Sequence, residues 1–447
     1  MKRKFLKYVI PSVLAMWIYS IYTMINGIFV AKGVGEIALA AVNISTPYVN
    51  VIFAAAILFA VGTSTIASIN LGNKEVTKAR EAFTMNMVML ILIGLSLTGL
   101  VLINLERIAY FMGATKTTIG YVKDYLGILS VFSVFYMLSY YFEVLVKTDG
   151  HPHLATIGVC ISAVTIITLD YIFVIKLNLG VKGAALATGL SQVAACLIYF
   201  MHFLRKSSKL KFVSFKFDIS LIKRTLPIGI SDFVTEFSTG FITFMFNRII
   251  LQHIGEIGII TYTVIIYVNT FVMLTMAGIS QGTQPLISYN YGSGNKETYR
   301  YILKLAIKTV AIFAICIYSA SMIFAEQINS IFISRDEVEI FSYSVKAFRI
   351  FTLAYLVVGF NIIFVGFYSA IEKPLYSMII STCRGLVVIV LSLMTMTALF
   401  GDNGIWLSLF VSEIICLIIS GVLFAKFTYS DLFTESALNK RISVIDI

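Results

Sequence analysis

The side chains able to do chemistry in this sequence are a handful of acids and amides set inside long apolar runs. Asp170 lies within Thr156–Gln192, in the string LDYIFV, with no other charged residue from Thr156 until Lys176. An ionised carboxylate at the centre of a membrane helix costs roughly 2.5–3.5 kcal/mol by insertion scales, so a chain that keeps one there faces it toward a partner or a watery cavity. Such a group can bind a proton from outside and lose it when substrate or water arrives. The alternative is a structural acid satisfied by Asn, Tyr or backbone partners.

Asp232 and Glu236 are four apart, on one helical face. Glu236 is the more central and is the candidate for binding substrate or ion; Asp232 can be simply wet. Arg384 and Glu413 fall near the middles of two further apolar runs, where an unpaired charge is expensive. Their plain reading is an internal ion pair, with Glu236 as an alternative partner for Arg384, which therefore also counts as a substrate-site candidate. Asn26 shares a helical face with Tyr22, Tyr19 and Phe29, and Tyr171 adjoins Asp170. Aromatic faces attract delocalised cations, but aromatics make up 14% of the chain, so packing accounts for most of them. Tyr22 is the one retained. Gln281, Gln284 and Asn361 are polar groups that can line a cavity or bond helix to helix.

Other chemistry is poorly supplied. The five cysteines (Cys160, Cys196, Cys316, Cys383, Cys416) all lie in apolar runs without CxxC spacing, which argues against disulfides and zinc. His151 and His153 bracket Pro152, but two histidines are an incomplete metal set and no further ligand is visible nearby. Pro152 reads instead as the first residue of a helix, where a missing N–H costs little. Glu143, Lys147 and Asp149 form a small charged group that can gate one face or lie solvated in a loop. No nucleophile elbow or phosphate loop occurs, so no enzyme is indicated.

The elements that must position these groups follow from composition. The 447 residues are 59% hydrophobic and 13% charged, against about 45–50% and about 25% in soluble domains. That defines an all-α polytopic membrane protein. A helix of about 20 apolar residues crosses the hydrocarbon, and the runs give twelve: roughly 5–31, 38–71, 82–104, 121–146, 153–175, 183–204, 226–250, 258–289, 304–325, 347–371, 375–399 and 404–426. The second and eighth are overlong, which implies tilt, a kink or extension into water. The basic N-terminus followed by a long apolar run, with no small-residue cleavage site, reads as a retained span rather than a signal peptide. The net charge of +11 is carried mainly by the joints, not by a nucleic-acid-binding patch. Lys and Arg favour the side that holds the N-terminus, so both termini are expected in the cytoplasm, with the chain in the cell membrane.

The basic joint 205–225 separates an N-lobe (1–204) from a C-lobe (226–426), followed by a tail (427–447). The halves look copied. Gly62-Thr63, Ser68, Asn70 and Gly72 recur as Gly282-Thr283, Ser288, Asn290 and Gly292, at an offset of 220. Asn73-Lys74-Glu75 recurs as Asn295-Lys296-Glu297, and Pro152 as Pro374, at 222; Gly180-x-x-Gly183 recurs as Gly401-x-x-Gly404 at 221. The fold expected is twelve transmembrane helices in two pseudo-symmetric six-helix lobes. Duplicated bundles of this kind favour a transporter over a channel or an enzyme.

With those residues in hand, the chain resembles the multidrug and toxic compound extrusion (MATE) transporters of bacterial type. The strings that carry the likeness are LAA (Leu39–Ala41), GNKE after the second span, LDYIFV, and GVKGAALATGLSQ from Gly180. The second half adds Pro227 with SDFVTEFSTG, QGTQPLISYNYG and CRGLVVI. The resemblance implies two six-helix lobes around a cavity that opens alternately to either side. It also implies export of amphipathic or cationic compounds against inward proton or sodium flow. Many relatives carry an acid in the first span, in a pattern like IYxxVDxIFVG; here Asn26 occupies that place, and an amide cannot titrate. Ion coupling is therefore assigned to Asp170 with Asn26, sodium at Asp170 being the one metal the site can take. Substrate binding is assigned to Glu236, Tyr22, Gln281, Gln284, Asn361 and Arg384. The expected partners are small amphipathic or cationic molecules and membrane lipids, with no cofactor beyond the coupling ion, no nucleic acid, and a monomeric chain. A lipid-linked oligosaccharide flippase of the same superfamily, or a non-transporting protein derived from this fold, are the alternatives.

Overall fold

In the computed structural model, which describes residues 1–427, every regular element is helical and no β-strand occurs among the described residues. The expected tail thus lies outside the described residues beyond Phe427. The first half consists of α1 (Lys2–Gly33), α2 (Glu36–Gly72), α3 (Val76–Ile103), the short α4 (Leu105–Phe111), α5 (Ile119–Val131), α6 (Ser133–Thr148), α7 (Pro152–Asp170) and α8 (Gly180–Leu204). The second consists of α9 (Ile219–His253), α10 (Glu256–Gly292), α11 (Lys296–Ile323), the short α12 (Ala325–Ser330), α13 (Val338–Phe351), α14 (Val358–Ala370), α15 (Pro374–Thr382), α16 (Val388–Phe400) and α17 (Asp402–Phe427).

The copied halves are visible in the helix lengths. Both α2 and α10 run for 37 residues, and both α3 and α11 for 28. The two overlong apolar runs are continuous helices with a proline inside each, Pro47 and Pro285. Each third long helix is followed by a short one, and each next span is broken. The expected single span 121–146 is α5 and α6, bent by 52°. Its counterpart joins α13 to α14 through a 3₁₀ turn, Thr352–Leu356. Each fifth span then contains a π-helical turn, Tyr171–Lys176 after α7 and Cys383–Val387 between α15 and α16.

The repeated Gly-x-x-Gly has a physical reason. Gly180 and Gly401 take φ of +60° and +56°, a left-handed turn that side chains resist. Gly183 and Gly404 lie where an added Cβ would press on the preceding span, against Phe173 in one half and the Met396 carbonyl in the other. One glycine turns the chain and the other lets the next helix lie against the last.

Among the described residues, ten helices are long and apolar enough to cross a membrane, and the bent pair makes an eleventh. The chain is a multi-pass membrane protein. Only α9, of the twelve expected spans, fails on apolarity: it is 35 residues long but carries Asp232, Glu236 and Arg248 among many Ser and Thr.

Two compact units emerge, Arg3–Phe233 and Val234 onward, the latter with Met1–Lys2. The first unit thus includes the start of α9. Gly62 of α2 lies against the Thr225 backbone and Gly229 against the Leu58 carbonyl, so these helices approach to backbone contact. Asn86 donates to the Thr225 hydroxyl at 3.1 Å, and Ile66, Ala82 and Ile228 bury together beside Leu221. The joint before α9 is docked as well. Arg80 donates to the Lys209 carbonyl at 2.8 Å, the Val213 N–H donates to Thr84 at 3.2 Å, and Phe212 packs among Phe83, Phe142, Phe200 and Phe203. Asp218 accepts from the Ser220 N–H at 2.8 Å; the Ser220 hydroxyl and N–H hold this exposed carboxyl below the usual carboxylate range.

Candidate functional site

Asp170 is the last α-helical residue of its span before the π turn and is fully buried. A π turn carries an extra residue and breaks the regular hydrogen-bond ladder, a feature frequent at functional sites. Asn26, near the corresponding end of α1, donates its Nδ2–H to Asp170 Oδ2 at 2.8 Å. Oδ1 of Asp170 is buried and has no hydrogen-bond partner. Tyr22, one helical turn before Asn26, is also buried; it packs with Ala163, Ile166 and Ala187 and meets the Tyr19 ring edge-on at 5.3 Å. Asp170, Asn26 and Tyr22, all candidates from the sequence, thus lie in one region of the first unit.

The other buried acids have partners of their own. The buried Glu143 pairs with the buried Lys147 at 2.8 Å, so these two are not the solvated loop group that the sequence allows. Buried Asp149 faces His202 at 2.8 Å and accepts the Lys209 and Leu210 N–H groups. Buried Glu413 accepts from Arg384 Nε at 2.6 Å. Among the described residues, Asp170 is the one buried carboxylate with a buried oxygen that no hydrogen bond reaches. Uncompensated charge in a low-dielectric interior is costly, and no charged group among the described residues pairs with this carboxylate.

In the second unit the substrate candidates divide. Arg384 and Asn361 are consumed by Glu413. Asn361 donates to Glu413 Oε2 at 2.8 Å and to the Glu413 carbonyl at 2.9 Å, and accepts from Ser420 at 3.2 Å. That is the internal ion pair expected as the plain reading, so Arg384 is not shared with Glu236. Gln284 is buried against Gly366 of α14, while Gln281 and Glu236 are half-buried. Glu236 has no hydrogen bond or ion pair among the described residues. The polar groups missed by sequence reasoning are His202, at the end of α8, and the backbone N–H groups of Lys209 and Leu210. His202 lies inside a stretch read as apolar span, and nothing local marks it as Asp149's partner.

Two like bundles of apolar helices, one holding a buried acid with no resident counter-charge, have the make-up of a membrane transport protein. The MatE family model matches residues 11–172 and again 232–394, and the chain belongs to that family of transporters. The two matches fall on the two copied halves. Among curated proteins, the multidrug export protein MepA of Staphylococcus saprophyticus is 27% identical over 418 residues, covering 91% of this chain and 90% of its own. MepA of Staphylococcus aureus is 26% identical over 411 residues with the same coverage. Among solved structures, an outward-facing multidrug resistance MATE family transporter of the MOP superfamily superposes with a TM-score of 0.90 at 22% identity over 96% of each chain. A MOP superfamily transporter from Pyrococcus furiosus, described as having a binding pocket of reversed polarity, gives 0.88 at 22% and the same coverage. These likenesses establish the twelve-helix, two-lobe fold.

Proposed function

We propose that this chain is a secondary antiporter that exports amphipathic, cationic compounds against the inward flow of a cation bound at Asp170. The observation that carries the reading is the buried Asp170 carboxylate with one oxygen held by Asn26 and the other unpartnered. A proton can settle on Oδ1 with no rearrangement. Sodium is accommodated if the Asn26 amide turns its oxygen inward, since an amide offers either a donor or an acceptor. In the cycle, a state open to the outside loads the cation and releases the compound; a state open to the cytoplasm does the reverse. Coupling requires only that the two ligands prefer different states or compete for one. Both termini lie in the cytoplasm in this reading, because the basic joints cluster on that side. Glu236, Gln281 and Gln284 are the substrate contacts we favour, with Tyr22 beside the ion site; Arg384 and Asn361 serve the architecture of the second unit.

The named homologues, both multidrug export proteins, support a drug-like cargo. A flippase for a diphosphate-linked sugar would need free buried basic groups, yet buried Lys147 and Arg384 are each neutralised by a carboxylate. The test is reconstitution in proteoliposomes with sodium and pH gradients imposed separately, following a fluorescent organic cation. Gradient-driven movement that disappears in Asp170→Asn supports the proposal; equal transport by wild type and variant overturns it.

A further inference from the structure

Asp149, in the turn between α6 and α7, lies beside two imidazoles from different parts of the chain. Its Oδ2 is 2.8 Å from His202 Nε2 and 3.5 Å from His151 Nδ1. The two rings meet edge-on with centroids 4.6 Å apart, and one ligand atom from each residue lies within 4.8 Å of the others. We propose that Asp149, His151 and His202 form a binding site for one divalent transition-metal ion of the zinc or cobalt kind.

The donor set fits such an ion. Two imidazoles and one carboxylate suit zinc, cobalt or nickel better than calcium or magnesium, which prefer oxygen. Metal–nitrogen and metal–oxygen bonds of about 2.0–2.1 Å on a tetrahedral centre separate neighbouring ligand atoms by about 3.3 Å. The two separations from Asp149 Oδ2, 2.8 Å to His202 and 3.5 Å to His151, bracket that value, and the exposed His151 is the ligand with room to adjust. Its side chain is 46% exposed, whereas those of Asp149 and His202 are 0% and 4% exposed. His151 therefore provides both the entry path and the open side at which water completes the coordination.

The carboxylate is already oriented for the task. Its second oxygen, Oδ1, accepts the Lys209 N–H at 2.8 Å and the Leu210 N–H at 2.9 Å. Outer-shell hydrogen bonds of this kind fix a ligating carboxylate and leave the other oxygen directed at the metal. They also come from the joint that connects the two halves. Metal binding and the docked joint thus use the same carboxylate, and each stabilises the other by linkage.

The test uses the full-length chain in detergent with any affinity tag removed. Cobalt(II) alone is titrated and read by its visible d–d absorption, then displaced with zinc(II). We expect one cobalt per chain, with the signal lost in His151→Ala and kept in His153→Ala, the neighbouring histidine outside the cluster. Loss of a direct ligand should weaken binding by more than the roughly 10–100-fold that outer-shell changes cost. Because His151 is partly exposed, its variant should keep the wild-type melting temperature without metal. Zinc should raise that temperature and slow tryptic cleavage at Lys209 and Lys211 in wild type but not in His151→Ala. No stoichiometric binding by wild type, binding retained in His151→Ala, or equal loss in His153→Ala overturns the site. Binding without protection of the joint overturns the linkage.

Discussion

Asn26 and Asp170, 144 positions apart in the chain, meet at 2.8 Å with the amide as donor. The buried acid of the first half is thereby opposed by a group that cannot take its proton. Replacing Asn26 with Asp tests whether that pairing governs ion choice. Two carboxylates at this separation cannot both ionise, so the variant holds a proton between them at neutral pH. Transport by Asn26→Asp should follow an imposed pH gradient and ignore sodium. A variant that remains sodium-driven and indifferent to pH would show that Asn26 has no say in the matter.

Arg384 and Glu413 lie in the second unit as a buried pair completed by Asn361. Removing one member strands the other, a loss of about 3–5 kcal/mol in buried pairs, whereas replacing both by apolar residues is often tolerated. Arg384→Met and Glu413→Gln should each lower the melting temperature clearly, and Arg384→Met with Glu413→Met should recover much of the loss. Thermal denaturation followed by size-exclusion fluorescence decides it, and additive losses would refute the pairing as the dominant interaction.

The α2–α9 crossing depends on Gly62 and Gly229, each facing a backbone carbonyl. Valine at either site must push the helices apart, at about 1–3 kcal/mol or more. Gly240, on the same helix, has nothing within 4 Å of an added Cβ, so Gly240→Ala should be neutral or gain up to about 1 kcal/mol from helix propensity. Yield of monodisperse protein and its melting temperature give the ranking.

Asp149 is the hinge pin of the joint. Without its carboxylate the Lys209 and Leu210 N–H groups lose their acceptor, which costs about 1–3 kcal/mol for buried groups left unsatisfied. Asp149→Ala should therefore be cut faster by trypsin at Lys206, Lys209 and Lys211. Equal cleavage time courses for variant and wild type would count against the docking.

Much of this was open to reading in advance, for a physical reason. Long apolar runs and a period near 220 residues need only the primary structure, because a bilayer imposes helix length and a duplication preserves turn residues such as Gly180 and Gly401. The meeting of Asn26 with Asp170 was legible too, since each lies near the same end of a parallel span. What escaped was non-local or geometric. The π turns beside Asp170 and at Arg384 leave no compositional mark, and nor does the bend at Phe132. The joint 205–225 reads from sequence as a basic linker, while its docking uses the Lys209 and Leu210 N–H groups, whose acceptor Asp149 lies some 60 residues earlier in the chain. His202 was hidden by its apolar neighbours, and α9 was too rich in hydroxyls and acids for its span to be judged by apolarity alone.

The docked joint and the tight α2–α9 crossing have a practical consequence. The ancestral copies meet in sequence near residue 205, but the first one is physically finished only at about Phe233, after it has borrowed the opening turns of its sibling's first helix. Anyone who co-expresses the protein as two fragments should find that a cut at the apparent linker leaves the first piece missing a wall. A fragment carried through to Phe233 should be the more soluble partner in detergent.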